Sequence, residues 1–477
     1  MSLRIRTAAA LAAFAAVAPV HAQPTAESPY GYAEVRPYGA RTAEVLAAAD
    51  IIADHHDRTD AFPVYLKWED YEFLSRSGLD VRWSADPALK QWEAMILEDE
   101  ARGTSSYTTY TQLGQELQAF AAANPDIARV QSIGTSVQGR QLWVIKISDN
   151  PDAEEDEPEF RYVSTMHGDE VLGVEVCMDL IGRLLNDYGT DPRITTLVDE
   201  TEVWIMPLMN PDGRDRTTPT RFNANGVDLN RDFPRWSCSD PNSTAGRQAE
   251  TAAVMSFFGA RSTTLSANMH GGALVANYPY DECFNCLGNC GETLAPDNDI
   301  FRDLALLYST LHVRMFASAT FPQGVTNGTD WYPLYGGLQD WTYVWEGGME
   351  ITLELDNQKI PTVSRLPGLV QENREPALAY LEMVHHGIRG TVIDGPTGQP
   401  LPATIRIDNR NRLTFTDPDA GDFHRVLAPG SYDLLVTAEG YAEPKLVEDV
   451  VVTDGPATRV DLVFGEAAAT AQGWTLY

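Results

Sequence analysis

Apolar positions along this 477-residue chain recur every three to four residues in some stretches and every second residue in others, and the two periods divide it into three regions. In the first, residues 23–104, TAEVLAAADIIADHH has helical spacing, and FPVYLKWEDYEFLSRSGL predicts a short strand running into a helix. From 105 to 387 the two periods alternate. TYTQLGQELQAFAAANP, AETAAVMSFFGA and DIFRDLALLYSTLHVRMFAS predict helices, while RQLWVIKIS, FRYVSTM, TEVWIMPLMN and MEITLEL predict strands. Such alternation predicts an α/β domain built on a mixed sheet. Beyond 388 only short alternating strands remain: GIRGTVID, ATIRID, RLTFTD, YDLLVTAEGY and TRVDLVF. GPTGQPLP, DPDAGD and APG separate them with turn chemistry. The expectation is a small all-β sandwich over 388–465 followed by a tail, 466–477.

Residues 1–22 stand apart from this pattern. Arg4 and Arg6 precede the apolar run AAALAAFAAVAPV, and Val20-His21-Ala22 supplies a small-residue cleavage site. This reads as a secretory leader. The run is shorter than the roughly 20 residues a membrane span needs, and no later stretch is apolar enough to cross a bilayer. An exported protein, periplasmic or extracellular, is expected. Composition adds an exclusion: 35 Lys and Arg against 68 Asp and Glu give a formal net charge of -33, which repels phosphate backbones and argues against nucleic acid as a partner.

Export permits disulfides. Cys177, inside the apolar pattern VLGVEVCMDLIGRLL, is expected to be a buried free thiol. Cys238, Cys283, Cys286 and Cys290 lie in loop-like sequence and are expected to form two disulfides, with the pairing open. His55-His56 beside Asp54 and Asp57 reads as an exposed helix end. Asn242-Ser243-Thr244 and Asn327-Gly328-Thr329 are glycosylation sequons.

The chemistry concentrates between 167 and 354. His167-Gly168-Asp169-Glu170 follows the strand FRYVSTM, so an imidazole and a carboxylate can turn toward one point. His270 follows the strand TLSANM in the same way. Two histidines and one glutamate at strand ends make the open three-ligand set of a catalytic zinc, at the sheet edge where α/β proteins place their sites. The run TRFNANGVDLNRDFP puts Arg221, Asn230 and Arg231 among turn formers, and an arginine fork suits a carboxylate. Glu354 sits in the apolar strand MEITLEL, where a buried carboxylate is costly.

In order along the chain, HGDE, NPDG, DLNRDFP, HGG, GGLQDW and ITLEL resemble the zinc carboxypeptidases. TNGTDWYPLYGGLQDWTY, HGGALVANYPYD and APDNDIFRDLALLYS are most similar to the N/E-type, or regulatory, subfamily. The segment GTVIDGPTGQPLPATIRI…GDFHRVLAPGSYDLLVTAEGY resembles the transthyretin-like domain that follows the catalytic domain there. Residues 23–104 have no such counterpart and are read as a prodomain-like segment of mixed helix and strand.

The resemblance implies that His167, Glu170 and His270 hold one zinc ion per chain. It implies that Asp228 orients His167, that Arg221 polarises the scissile carbonyl, and that Asn230 and Arg231 grip the terminal carboxylate of a peptide. Tyr332 closes over the substrate, and Glu354 is the general base and acid. Asp281 matches the acid at the floor of the pocket in enzymes that release Lys or Arg. Two departures stand out. The family often has Asn where this chain has Asp169, and ITLEL is followed by DNQKIP rather than a Ser-Cys pair. Besides an exported carboxypeptidase acting on peptide C-termini, two readings stay open: a peptidoglycan-directed member of the same superfamily, and an inactive binding protein on this scaffold.

Overall fold

The computed structural model describes residues 23–465 apart from 25–28, 38, 40–41, 43–44, 47–48, 50, 55–60, 103–106, 289, 409 and 411. The leader, the pair His55-His56 with Asp57, and the tail 466–477 therefore lie outside the described residues.

The first region builds an antiparallel sheet from β1 (Gly31–Arg36), β2 (Ile52–Ala53), β3 (Phe62–Leu66) and β4 (Asp80–Trp83), in the order β2-β3-β1-β4. The expected strand-then-helix is present as β3 and the helix Trp68–Arg76. The helical reading of 42–56 is corrected at its end. Ile52 and Ala53 pair with Tyr65 and Val64, because an exposed β3 edge offers backbone hydrogen bonds that outweigh a weak helical preference. A further helix, Pro87–Arg102, went unpredicted.

The central sheet has eight strands: β5 (Ala128–Thr135), β6 (Gln141–Ile147), β7 (Glu159–Ser164), β8 (Glu202–Met206), β9 (Thr263–His270), β10 (Leu274–Tyr278), β11 (Val325–Asn327) and β12 (Met349–Leu355). Their order is β11-β10-β12-β9-β7-β8-β6-β5. Strands β8, β7, β9 and β12 run parallel, whereas β6 and β10 are antiparallel to their neighbours β8 and β12, so the sheet is mixed as expected. Every residue of those four parallel strands is buried, as strands covered on both faces must be. Alternation along β6 shows the two cores. Ile145 and Ile147 join helices Leu172–Asp187, Asn298–Leu311 and Leu366–Glu382, and Leu142 and Val144 join helix Ala249–Phe258. Cys177 is a buried free thiol, as expected.

The third region forms two sheets around one apolar core that includes Ile388, Ile405, Phe423 and Val436. Strands β13 (Ile388–Asp394), β16 (Asp422–Arg425), β19 (Thr458–Arg459) and β20 (Leu462–Phe464) make one sheet. Strands β14 (Ala403–Ile407), β15 (Leu413–Phe415), β17 (Gly430–Ala438) and β18 (Lys445–Val452) make the other. TRVDLVF, expected as one strand, splits into β19 and β20, both on β13. Gly390 explains the closeness there: a Cβ on it would stand 1.9 Å from the Val460 carbonyl oxygen.

A buried ion cluster fixes this sandwich to the central region. The Arg425 guanidinium meets the Asp297 carboxylate and donates to the Gly347 carbonyl at 2.9 Å. Arg410 adds 2.7 Å to Asp297 and 2.8 Å to Asp299. Burial works against the Asp297 charge, but Arg425, Tyr343 and Arg410 hold its pKa below the ordinary value. Removing one partner of a buried pair leaves an uncompensated charge, so Arg425→Ala is expected to lower stability by about 3 kcal/mol or more in urea denaturation. An unchanged midpoint would remove this cluster from the account of how the regions hold together.

Candidate active site and metal centre

Three adjacent strands deliver their ends to one place. Ser164 of β7 is beside Met269 of β9, and Glu354 of β12 is the cross-strand partner of His270, the last residue of β9. The chain leaving β7 turns at once through His167 and Glu170. That turn is tight against the NPDG segment: a Cβ on Gly168 would stand 2.2 Å from the Gly213 carbonyl carbon. Asn210 secures the packing by donating to the carbonyls of Met166 and Arg221 while accepting from Gly213 N–H at 2.8 Å.

His167, Glu170 and His270 converge there, each almost fully buried. His167 Nδ1 is 2.9 Å from Glu170 Oε1 and 3.1 Å from His270 Nδ1, and His270 Nδ1 is 2.7 Å from Glu170 Oε2. On its other side, His167 Nε2 lies 3.0 Å from Asp228 Oδ1. A carboxylate there takes the Nε2 proton as a hydrogen bond, which leaves Nδ1 as a lone pair facing the cluster. Burial lowers the His270 pKa. The two Nδ1 atoms face each other at 3.1 Å, where at most one can carry a proton, so a cation between them and Glu170 would satisfy all three side chains. Nitrogen and oxygen donors in this number suit zinc.

Asp228 does more than orient His167. Its Oδ2 accepts from Arg221 Nε at 2.7 Å, and its Oδ1 caps the turn Leu229–Arg231 by accepting from Asn230 N–H at 2.8 Å. Of the residues expected on a loop, Arg221 lies on a bend, while Asn230 and Arg231 belong to this short 3-10 turn. Burial opposes ionisation of Asp228, but Arg221, His167 and Arg231 together outweigh it and hold the carboxyl well below its usual range. Arg221, equally buried, is held charged by Asp228, Asp54 and Glu170.

A small cavity of about 20 Å³ opens on this cluster. Its lining includes His167, His270, Arg221, Asn230, Tyr332, Glu354 and Asp281. Glu170 and Asp228 stand behind the wall. Arg231 does not line the cavity: its guanidinium donates to the carbonyls of Asn230 at 3.0 Å and Ala53 at 3.3 Å. Asn230 Oδ1 accepts from Leu338 N–H at 3.1 Å, which leaves its amide nitrogen as the group to offer.

Asp281, also in the lining, is buried, with Asn277 Nδ2 donating to Oδ1 at 2.9 Å. Burial and then the neighbouring Asp340 push its pKa well above the usual value. Asp340 accepts from the backbone N–H groups of Asp281 and Glu282 and from Trp236 Nε1. Burial raises Asp340 to about 6 and Glu282 to about 7. Gly328 is required here, since its Cβ would meet Asp281 Oδ1 at 2.0 Å. The Asn327 sequon is structural: its amide donates to Pro279 and Thr293 carbonyls. Beside Asp281 the expected two disulfides are present, Cys238–Cys286 and Cys283–Cys290.

Contacts that sequence reasoning missed come from the first region. Asp54 Oδ1 is 3.5 Å from Arg221 Nη1 and 2.8 Å from Lys359 Nζ. Phe62 stands edge-on to Tyr332, 6.2 Å between ring centres. The first region thus touches two residues of the cavity lining, Arg221 and Tyr332.

The sequence profile of the zinc carboxypeptidases matches residues 113–376, and that of the carboxypeptidase regulatory-like domain matches 387–465. This chain belongs to the zinc carboxypeptidase family. It is 39% identical to carboxypeptidase M of Mus musculus over 73% of this chain and 82% of that protein. It is 39% identical to carboxypeptidase D of the same species over 74% of this chain but 26% of that one. It spans about a quarter of the length of the carboxypeptidase D relatives it matches. The carboxypeptidase N catalytic chain of Homo sapiens is 38% identical over 74% of this chain and 84% of its own length. The crystal structure of carboxypeptidase A from Helicoverpa armigera shares the fold, with a TM-score of 0.59 at 18% identity over 74% of this chain and 97% of that one. The catalytic-type domain followed by a regulatory-like β domain is the order that the motifs implied.

The two departures from the family pattern meet in space. Lys359, from DNQKIP, lies 3.5 Å from Asp169 and 2.8 Å from Asp54. Burial disfavours its charge, but Asp169 and Asp54 outweigh that and raise its pKa.

Proposed function

We infer that this protein is an exported zinc carboxypeptidase that removes Lys or Arg from peptide C-termini. The observation that carries the reading is a single cavity whose lining brings two members of the His167, Glu170 and His270 cluster, both histidines, together with Glu354 and the buried Asp281 carboxylate. His167, Glu170 and His270 would hold one zinc ion, which when bound would supply a Lewis acid for the scissile carbonyl and an activated water. Glu354, beside His270, takes the water proton and passes it to the leaving amine. Arg221 stabilises the oxyanion, held in place by Asp228. Asn230 and Arg231 bind the terminal carboxylate, which is what makes the reaction an exopeptidase one. Tyr332 closes over the substrate, and Asp281 accepts its basic side chain. The two disulfides support an oxidising compartment, and no helix among the described residues is long and apolar enough to cross a membrane.

The test is a panel of Arg-, Lys-, Phe- and Glu-ended peptides beside muropeptides, read by released amino acid, with zinc counted by elemental analysis. Free Arg and Lys with one zinc per chain is the expected result. Release from muropeptides alone would favour the peptidoglycan-directed reading, and no turnover with zinc absent the inactive scaffold.

Residues 23–104 act in this reading as a cover. The Ala53 carbonyl occupies Arg231 and the Asp54 carboxylate approaches Arg221, two groups assigned to the substrate. Substrate binding then draws only on the fraction of molecules with the cover displaced. Proteolytic removal of the segment is expected to raise kcat/KM about tenfold or more, with a smaller rise for Asp54→Ala. A loss of activity on removal would make the segment part of the working site.

A further inference from the structure

A second cluster of donor groups lies where the sandwich meets the central region. Phe423 of β16 enters the sandwich core, so Asp422 and His424, each one position away, face outward. An outward face of a small sandwich is ordinarily wet, yet Asp422 is 1% exposed and His424 7%. The chain between β6 and β7 brings Asp156 against them. His424 Nε2 is 2.8 Å from Asp422 Oδ2 and 3.9 Å from Asp156 Oδ1. One donor atom of each residue lies within 4.8 Å of the other two.

Hydrogen bonding leaves this cluster incomplete. Asp422 Oδ1 and Asp156 Oδ1 are both buried without a hydrogen-bond partner. The nearby arginines do not answer for them. Arg459 Nη1 takes the other Asp156 oxygen, at 2.6 Å, and Arg389 is the cross-strand partner of His424. A buried carboxylate oxygen with no donor is uncommon in a settled interface, and its usual resolution is a missing proton, water or ion.

We propose that Asp156, Asp422 and His424 form a second divalent-metal site, one that clamps the sandwich to the central region. An imidazole with two carboxylates suits zinc or another first-row cation, whereas calcium takes oxygen donors throughout. Asp156 is on a loop and has to draw in slightly to bring its oxygen to about 2.0–2.2 Å from a common ion. The site is distinct from the His167 cluster. Asp156 precedes β7 and His167 follows its far end, so a whole strand separates them.

The experiment is an anomalous difference map from crystals of the full chain equilibrated with zinc, alongside zinc content in solution. A peak among Asp156, Asp422 and His424, separate from any peak at His167, is expected, with a second equivalent of zinc by elemental analysis. His424→Ala and Asp156→Asn should each lose the second equivalent without changing peptide hydrolysis. If His424→Ala fails to fold, Asp156→Asn and the wild-type map still decide. The proposal is overturned if no peak stands among the three residues when the His167 cluster is saturated. It is equally overturned if the second equivalent survives in Asp156→Asn, since the zinc then sits elsewhere. Absence of zinc at His167 would count against the carboxypeptidase reading and leave this site to be judged on its own peak.

Discussion

Glu354→Gln is expected to abolish turnover almost completely while leaving zinc content unchanged. Glu354 lines the same cavity as His167 and His270 but is not one of the three residues whose donors converge. Gln keeps the shape and the hydrogen-bonding oxygen and loses only the ability to carry a proton. General acid–base catalysis contributes about 10²–10⁴-fold, so kcat should fall by roughly that factor with KM little moved. The comparison variant is His270→Ala, which should lose zinc and turnover together. If Glu354→Gln retains turnover within tenfold, the proton carrier is a different group, and the reading of the cavity has to be rebuilt from the cluster outward.

The parts of this site that were legible in the sequence are those fixed by strand ends. His167, His270 and Glu354 sit at or near the termini of apolar strands, and their convergence follows once β7, β9 and β12 are neighbours. The order of motifs supplied that adjacency through family resemblance; periodicity alone did not. What stayed hidden depends on packing between regions. Asp54 reaches Arg221 only because β2 pairs with β3, and the run before it reads as helix by its alanines. The stretch DNQKIP was noticed as a departure from the family, and so was Asp169, but nothing in a linear reading says that its Lys359 meets Asp169 and Asp54 in one buried cluster. Asp340 lay in plain sight within GGLQDW, yet its part in holding the backbone of Asp281 and Glu282 needs the fold. Strands were missed where alternation fails: β5 is half-buried along most of its length, and β18 is largely exposed. The helix Leu366–Glu382 went unread too, with Pro376 inside it breaking the pattern that marks a helix.

Asp281→Ala should separate selectivity from catalysis. The carboxylate is buried, flanked by Asp340 and Glu282, and answered among its hydrogen bonds by the Asn277 amide. Burial and those acids disfavour its charge in the free enzyme, so a Lys or Arg side chain entering the cavity supplies the cation that lets it ionise. Removing one partner of such a pair costs about 2–5 kcal/mol. Arg- and Lys-ended peptides should therefore lose roughly thirty-fold or more in kcat/KM. Phe- and Leu-ended peptides should be unchanged or slightly better, because an apolar side chain no longer faces a buried carboxyl. Asp281→Asn serves as the shape control and should share the loss for basic residues, since it keeps the volume and removes the charge. Equal losses for every peptide would mean that Asp281 supports the cavity instead of selecting the substrate. A wild-type preference for apolar C-termini would remove it from specificity altogether and turn attention to the disulfide-bonded loop beside it, where Phe284 is exposed and packs edge-on against Trp236.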